Sequence, residues 1–388
     1  MEVVYTPYDP SVNDDPYPVY ARLRREAPLY HNPEAGFWAL SRHADVTAAL
    51  TDSARFSSDH GPMIDPGAWT PRARAYLSFI AMDPPDHTRM RAVVSRAFTP
   101  RRIAALEPMI REIARSYIHE GLARGTFDFT ADLAAKLPLD VISELMGVPS
   151  SRRIKVRRSQ SVLLKHDLAG TLTEAGLASL LTLGDYYASV VAERRREPRD
   201  DLVSALVADG DLTDEEIVAF LFLLIGAGSE TTTHLLGAAW YWAWRNPGQR
   251  DLAFGGDITR WVEESLRYDT PAHGTARRLA EPAELHGTPV PKDAKMWLLI
   301  GSANRDEEVF PDPDVYDLGR DTSRTLSFGV GRHYCLGAAL ARLEARITLE
   351  ELTDAVAPGY HVHEEGIRRT SHGNFRGLVS LPTTVRPA

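Results

Sequence analysis

A single cysteine, Cys335, stands in a chain of 388 residues. No intramolecular disulfide can form, which fits a reducing compartment and excludes the disulfide-stapled secreted class. The opening stretch, Met1-Glu2-Val3-Val4-Tyr5-Thr6-Pro7-Tyr8-Asp9-Pro10, has neither the basic nor the apolar segment of a secretory signal. The apolar run from Ile217 to Ile225 falls far short of the roughly 20 residues that span a bilayer. A cytoplasmic protein with no membrane association is expected. Linkers rich in serine and glycine, low-complexity tracts and internal repeats are also missing, so one domain over residues 1–388 is expected, with a β-containing part at about 20–60. Positive charge is in deficit: 44 Lys and Arg against 53 Asp and Glu give a net charge of −9. That balance argues against general nucleic-acid binding, and the clusters at 152–158 and 194–196 read as solvated helix faces.

What is present centres on Phe328-Gly329-Val330-Gly331-Arg332-His333-Tyr334-Cys335-Leu336-Gly337. Three glycines strip side chains from a short loop, so its backbone can approach something flat or curl N–H groups around one atom. The helix-forming run from Ala338 to Arg346 places Cys335 at or just before a helix N-terminus, where free N–H groups and the dipole favour a thiolate. Three readings follow from the residues: a buried inert thiol, a redox-active nucleophile, or an axial ligand to haem iron.

Upstream, Thr213-Asp214-Glu215-Glu216 is a capping box that opens a helix running to about Arg245, before Pro247. Within it, Gly226-Ala227-Gly228-Ser229-Glu230-Thr231-Thr232-Thr233 is poorly suited to a buried helical interior. Such a conflict marks either a close helix crossing or a site where a hydroxyl opens the helix into a notch. His87 and Arg91 share one helical face, as a solvated pair or as a carboxylate clamp. Glu264 and Arg267 can likewise pair. Leu29-Tyr30 and Phe37-Trp38-Ala39-Leu40 read as a hairpin, and strands are expected at 284–287 and 296–300 with a turn between them.

The pattern Phe-Gly-x-Gly-x-His-x-Cys-x-Gly closely resembles the haem-binding loop of the cytochrome P-450 family, and the other motifs fall in that family's order. The resemblance covers about Tyr17 to Leu381. It implies a mainly α fold with smaller β-sheets (α+β), a triangular prism crossed by a long central helix. It implies haem b, iron protoporphyrin IX, with Cys335 as the metal ligand and Phe328 shielding the sulfur. His87, Arg91, His333 and Arg277 would hold the propionates, with Arg278 the alternative to Arg277, while Gly329, Gly337 and Ala227 would lie against the cofactor. Thr231 is assigned to hydrogen-bond dioxygen and Glu230 to a proton relay. Glu264 and Arg267 become a structural pair, whose usual third partner, an arginine in the segment 310–316, is replaced here by Val315.

By the same resemblance the chain is a haem-thiolate monooxygenase that inserts one atom of O2 into a lipophilic small molecule, a hydroxylation or epoxidation in secondary metabolism. The alternatives are peroxide use, oxidative coupling or desaturation, or a non-catalytic haem sensor. Electrons would come from a ferredoxin and an NAD(P)H-dependent ferredoxin reductase, docked by Arg89, Arg96, Arg101, Arg102, Arg332, Arg342 and Arg346, and the protein is expected to be a monomer. Leu163, Leu164, Phe222, Ile225, Ala272, His273 and Phe375 are candidate pocket residues.

Overall fold

The computed structural model describes residues 3–149, 151–153, 155–156, 159, 173–370 and 373–388. In chain order, the elements that position the site are α1 (Tyr17–Glu26), β1 (Leu29–Asn32), β2 (Phe37–Leu40), β3 (Phe56–Ser57) and α2 (Asp86–Ala97). They continue with α3 (Glu107–Arg124), α4 (Leu137–Leu145), α5 (Glu174–Arg196) and α6 (Asp214–Arg245). After these come α7 (Ile258–Tyr268), β4 (Thr275–Leu279), β5 (Lys295–Leu298) and α8 (Ala338–Ala355).

Helix α6 is the axis. Its capping box forms as the sequence predicts: Glu216 N–H donates to Thr213 Oγ1 at 3.2 Å, and Thr213 N–H donates to Glu216 Oε2 at 3.0 Å. Its 32 residues span roughly 48 Å at about 1.5 Å per residue. Two apolar clusters divide it. Ile217 to Ile225 pack with Val93, Val94, Tyr187 and Val191, while the part from Leu235 onward packs with Phe129, Trp261 and Ile347. The stretch from Gly226 to His234 belongs to neither cluster. At the far end, Trp240 stacks on Phe129 at 5.0 Å and on Tyr360 at 3.7 Å. Helices α5 and α6 are long and apolar enough to cross a membrane by length and composition, but 61% of the most apolar window of α6 is buried within the protein.

One sheet has the order β1-β2-β5-β4-β3, with β2 and β5 parallel and the other pairs antiparallel. The expected hairpin at β1 and β2 is present. In β4, Arg277 lies opposite Met296 and Arg278 opposite Lys295, and because successive strand residues point to opposite faces, only one of the two arginines can turn inward. The second expected turn is shifted. Ala283–Leu285 pairs with Thr288–Val290 across His286 and Gly287, whose φ of 49° and 73° suit a two-residue hairpin loop. The mainly helical architecture with smaller sheets is the expected one.

Candidate functional site

Cys335 lies at the end of a turn that needs small residues. Gly329 and Gly331 have φ of 68° and 76°, and a Cβ on Gly331 would come within 3.2 Å of the Leu50 carbonyl oxygen. The turn closes as Gly329 N–H donates to the Leu326 carbonyl at 2.7 Å and Cys335 N–H to the Phe328 carbonyl at 2.9 Å. Helix α8 begins just beyond, with Gly337 as its N-cap. The Phe328 ring carries the Arg342 guanidinium 4.4 Å from its centroid. Cys335 has accessible surface but is set among enough protein that burial pushes its thiol up. The Gly337 backbone, Arg91, Arg342 and the Ala338 backbone pull it down without winning. The donors expected at the helix N-terminus are present, and loss of water around the sulfur opposes them.

Four basic side chains from three segments meet beside this loop. His87 and Arg91 stand one turn apart on α2, Arg277 comes from β4, and His333 from the loop itself. The His87 and His333 rings are 4.2 Å apart, and Arg91 Nη2 donates to the Tyr334 carbonyl at 2.7 Å. Arg277 is 5% exposed and donates to Thr275 Oγ1 at 3.0 Å and to the Ala276 carbonyl at 2.8 Å. Arg278 instead pairs with Asp59 and Asp293 on the other face. Among the described residues, neither ring nitrogen of His87 nor Nδ1 of His333 has a hydrogen-bond partner.

The group is short of negative charge. Burial, with Arg277, His87 and Arg91 nearby, lowers His333 to about 2; burial and then Arg91 push His87 down as well. Burial alone takes Arg277 to about 10, offset only in part by Asp83. An unpaired buried cation costs several kcal/mol. Cations and imidazoles with unpartnered ring nitrogens held together at that cost suit an anion carrying more than one carboxylate, and a dianionic cofactor fits the donor set.

On α6, the hydroxyls of Ser229, Thr231, Thr232 and Thr233 each donate to the carbonyl four residues back, at 2.6, 2.7, 3.1 and 2.8 Å. The helix nevertheless runs unbroken, so the notch considered from the sequence is not an opening of its ladder. What the stretch provides is uncovered surface in a buried helix, with Ala227 exposed and Gly226, Glu230 and Thr231 half-buried. Gly228 serves a crossing, since a Cβ there would lie 2.5 Å from Ile142 Cδ1 of α4. Leu336, beside Cys335, packs at the edge of the apolar cluster that also holds Phe220 to Ile225.

The family model for cytochrome P-450 matches residues 258–353. Cytochrome P-450 123 of Mycobacterium tuberculosis is 47% identical over 99% of this chain and 98% of its own length. The chain belongs to the cytochrome P-450 family. The vitamin D(3) 25-hydroxylase of Pseudonocardia autotrophica is 37% identical over 96% of this chain and 94% of its own. The structure of cytochrome P-450 CYP109Q5 from Chondromyces apiculatus superposes with a TM-score of 0.91 at 34% identity, covering 100% of both chains. The protein is thus a cytochrome P-450 monooxygenase, an enzyme of haem, substrate, dioxygen and redox partners.

Within this cytochrome P-450, the Glu264 and Arg267 pair is fully buried and bidentate, at 2.7 and 2.8 Å. Its third partner is Arg320, outside the segment expected to supply it. Arg320 Nε lies 3.5 Å from Glu264 Oε1, while its Nη atoms donate to the Pro311, Asp312 and Val315 carbonyls. Two further residues escaped the sequence reading. Ser58 Oγ shares a hydrogen bond with His333 Nε2 at 3.1 Å, and Asp83 accepts from Ser57 Oγ at 2.5 Å and Ser58 N–H at 2.9 Å. No local signal marks them, because each acts across a long chain separation.

Other expectations are corrected. Of the seven docking arginines, Arg89, Arg96, Arg342 and Arg346 are paired with Glu216, Asp209, Glu263 and Glu107 respectively. Arg101, Arg102 and Arg332 remain exposed. Among the pocket candidates, Ile225 is core at 1% exposure, and His273 is buried with Nδ1 sharing a hydrogen bond with Tyr20 Oη at 3.1 Å. Ala272 and Phe375 form an isolated β-bridge and are half-buried, as is Phe222. Leu163 and Leu164 lie outside the described residues.

Proposed function

We propose that Cys335 is the thiolate ligand of a haem b whose two carboxylates are taken by His87, Arg91, Arg277 and His333. Phe328, Gly329, Gly337 and Ala227 lie against the ring in this reading. The observation that carries it is the cluster of buried and half-buried basic groups, none paired with a carboxylate among the described residues, beside the sole thiol. Bound there, the haem supplies the oxidising chemistry that no side chain can. The protein does the rest. With haem bound, Cys335 would serve as a thiolate, its proton released to solvent, since a coordinating thiol is deprotonated. Thr231 Oγ1, donating to Ala227, keeps its lone pairs for a hydrogen bond from a group at the uncovered face of α6. Glu230 carries a proton to that place.

The reaction is insertion of one atom of dioxygen into a lipophilic small molecule, a hydroxylation or epoxidation in secondary metabolism. The half-buried Phe222, Ala272 and Phe375 support an apolar substrate, as does likeness to an enzyme named for a hydroxylation of vitamin D(3). The protein works as a cytoplasmic monomer, a single domain that receives electrons from a ferredoxin served by an NAD(P)H-dependent reductase. The ferredoxin meets Arg101, Arg102 and Arg332, which form no ion pair among the described residues.

The test is turnover with a surrogate ferredoxin and reductase, NADH and dioxygen, using vitamin D(3) and medium-chain fatty acids as probes. A product heavier by one oxygen atom, with reduction slowed by added salt, is expected. NADH consumption that no probe accelerates, with no oxygenated product, would contradict the reading.

A further inference from the structure

One turn beyond Glu230 on α6, His234 is 3% exposed, and neither of its ring nitrogens has a hydrogen-bond partner among the described residues. Leaving buried polar atoms unsatisfied costs about 1–3 kcal/mol, so the imidazole is held there against a penalty. Nε2 lies 3.6 Å from Glu230 Oε1, too long for a settled hydrogen bond and short enough to become one with a small shift. Side chains on a helix lean toward its N-terminus, so a residue at i+4 projects back over residue i. The other side of the ring is blocked. A Cβ on Gly377 would fall 1.9 Å from His234 Nδ1 and 2.1 Å from Cγ, so the C-terminal backbone presses directly on the imidazole. That backbone is itself tied down, with Thr370 N–H donating to the Gly377 carbonyl at 3.0 Å. In so close-packed a setting the ring cannot swing away from Glu230.

We propose that His234 is a positioning residue for the dioxygen reaction, which holds the Glu230 carboxyl through Nε2 while the backbone at Gly377 wedges the ring in place. The inference rests on the reading of Glu230 and Thr231 as the proton relay. When Glu230 hands over its proton it becomes a carboxylate in a poorly solvated place, and an imidazole N–H aimed at Oε1 offsets that charge without reorganising. Residues closer to the substrate would set what is oxidised; His234 would set how readily Glu230 releases and regains its proton.

The test compares holoenzyme with His234→Asn, Glu230→Gln and the double variant, matched for haem content. The rate read is that of NADH consumption driven by dioxygen with a surrogate ferredoxin and reductase. Loss of the acid should slow it about a hundredfold, and His234→Asn alone by about tenfold, a positioning effect smaller than loss of the group it serves. The double variant should be no slower than Glu230→Gln. A double variant slower by the product of the two effects, or a His234→Asn enzyme as fast as the wild type, would overturn the proposal. Glu230→Gln at the wild-type rate would sink the relay reading first, and this inference with it. A second readout needs no turnover and no change at His234. In the diamagnetic ferrous carbon monoxide form, Glu230→Gln should move the ¹⁵N resonance of His234 Nε2 and leave that of Nδ1 in place. An unmoved Nε2 resonance would overturn the proposal even if His234→Asn failed to fold.

Discussion

In the proposed reading, Arg277 serves a bound partner better than it serves the fold. It is buried, has no paired carboxylate among the described residues, and is pushed down to about 10 by that burial. In a structural ion pair the guanidinium would stabilise the chain itself; here it is a cost until an anion arrives. Arg277→Ala is therefore expected to act with opposite signs on the two forms. The haem-free protein should unfold at an unchanged or higher temperature, while haem should be lost roughly 10- to 100-fold faster, equivalent to about 1.5–3 kcal/mol for a hydrogen bond to a charged group. Transfer of haem to apomyoglobin, with thermal unfolding of the apoprotein, reads both, and a destabilised apoprotein with normal haem retention would contradict the assignment. At this scale the sequence was most legible where function is local. Cys335 and His333 sit in one loop and His87 and Arg91 on one turn, and their spacings alone bring each pair together. Ser58 and Asp83 were illegible because Ser58 meets His333 across 275 positions, a contact made by the path of the sheet rather than by any local pattern.

Among the elements, α6 was readable from end to end because its cap, its apolar run and its polar interruption are all written along one stretch. The pairing of β2 with β5 was not, since parallel neighbours distant in the chain leave no periodic trace. Nor was the support beneath α7. Val315 stands where the third partner of the Glu264 and Arg267 pair is expected, yet the meander folds so that Arg320 supplies the guanidinium and at the same time donates to three carbonyls. With Glu264 and Arg267 at 0% exposure, a missing charge beside them cannot be replaced by water. Arg320→Ala should lower the stability of the holoenzyme by about 1–2 kcal/mol, the cost of carbonyls and a buried carboxylate that each lose one donor while Arg267 keeps Glu264 paired. Chemical denaturation measures it, and a loss below about 0.5 kcal/mol, the range of ordinary surface changes, would show the pair to be complete without Arg320.

Over the whole molecule, a net charge of −9 coexists with two arginines and two imidazoles gathered beside one thiol. Several surface arginines are paired with neighbouring carboxylates, and composition alone could not reveal the basic cluster beside Cys335. The architecture resolves this distribution. The sheet brings Arg277 in, α2 brings His87 and Arg91, the glycine turn brings His333 and Cys335, and α6 leaves Ala227, Glu230 and Thr231 uncovered between two apolar clusters. All of it presumes that sulfur is the atom that binds iron. The most direct measurement is the spectrum of the dithionite-reduced protein under carbon monoxide, for the wild type and for Cys335→Ser loaded with the same amount of haem. The wild type should show the red-shifted Soret band of thiolate ligation and the variant should lose it; a variant that keeps the band would place the ligand elsewhere.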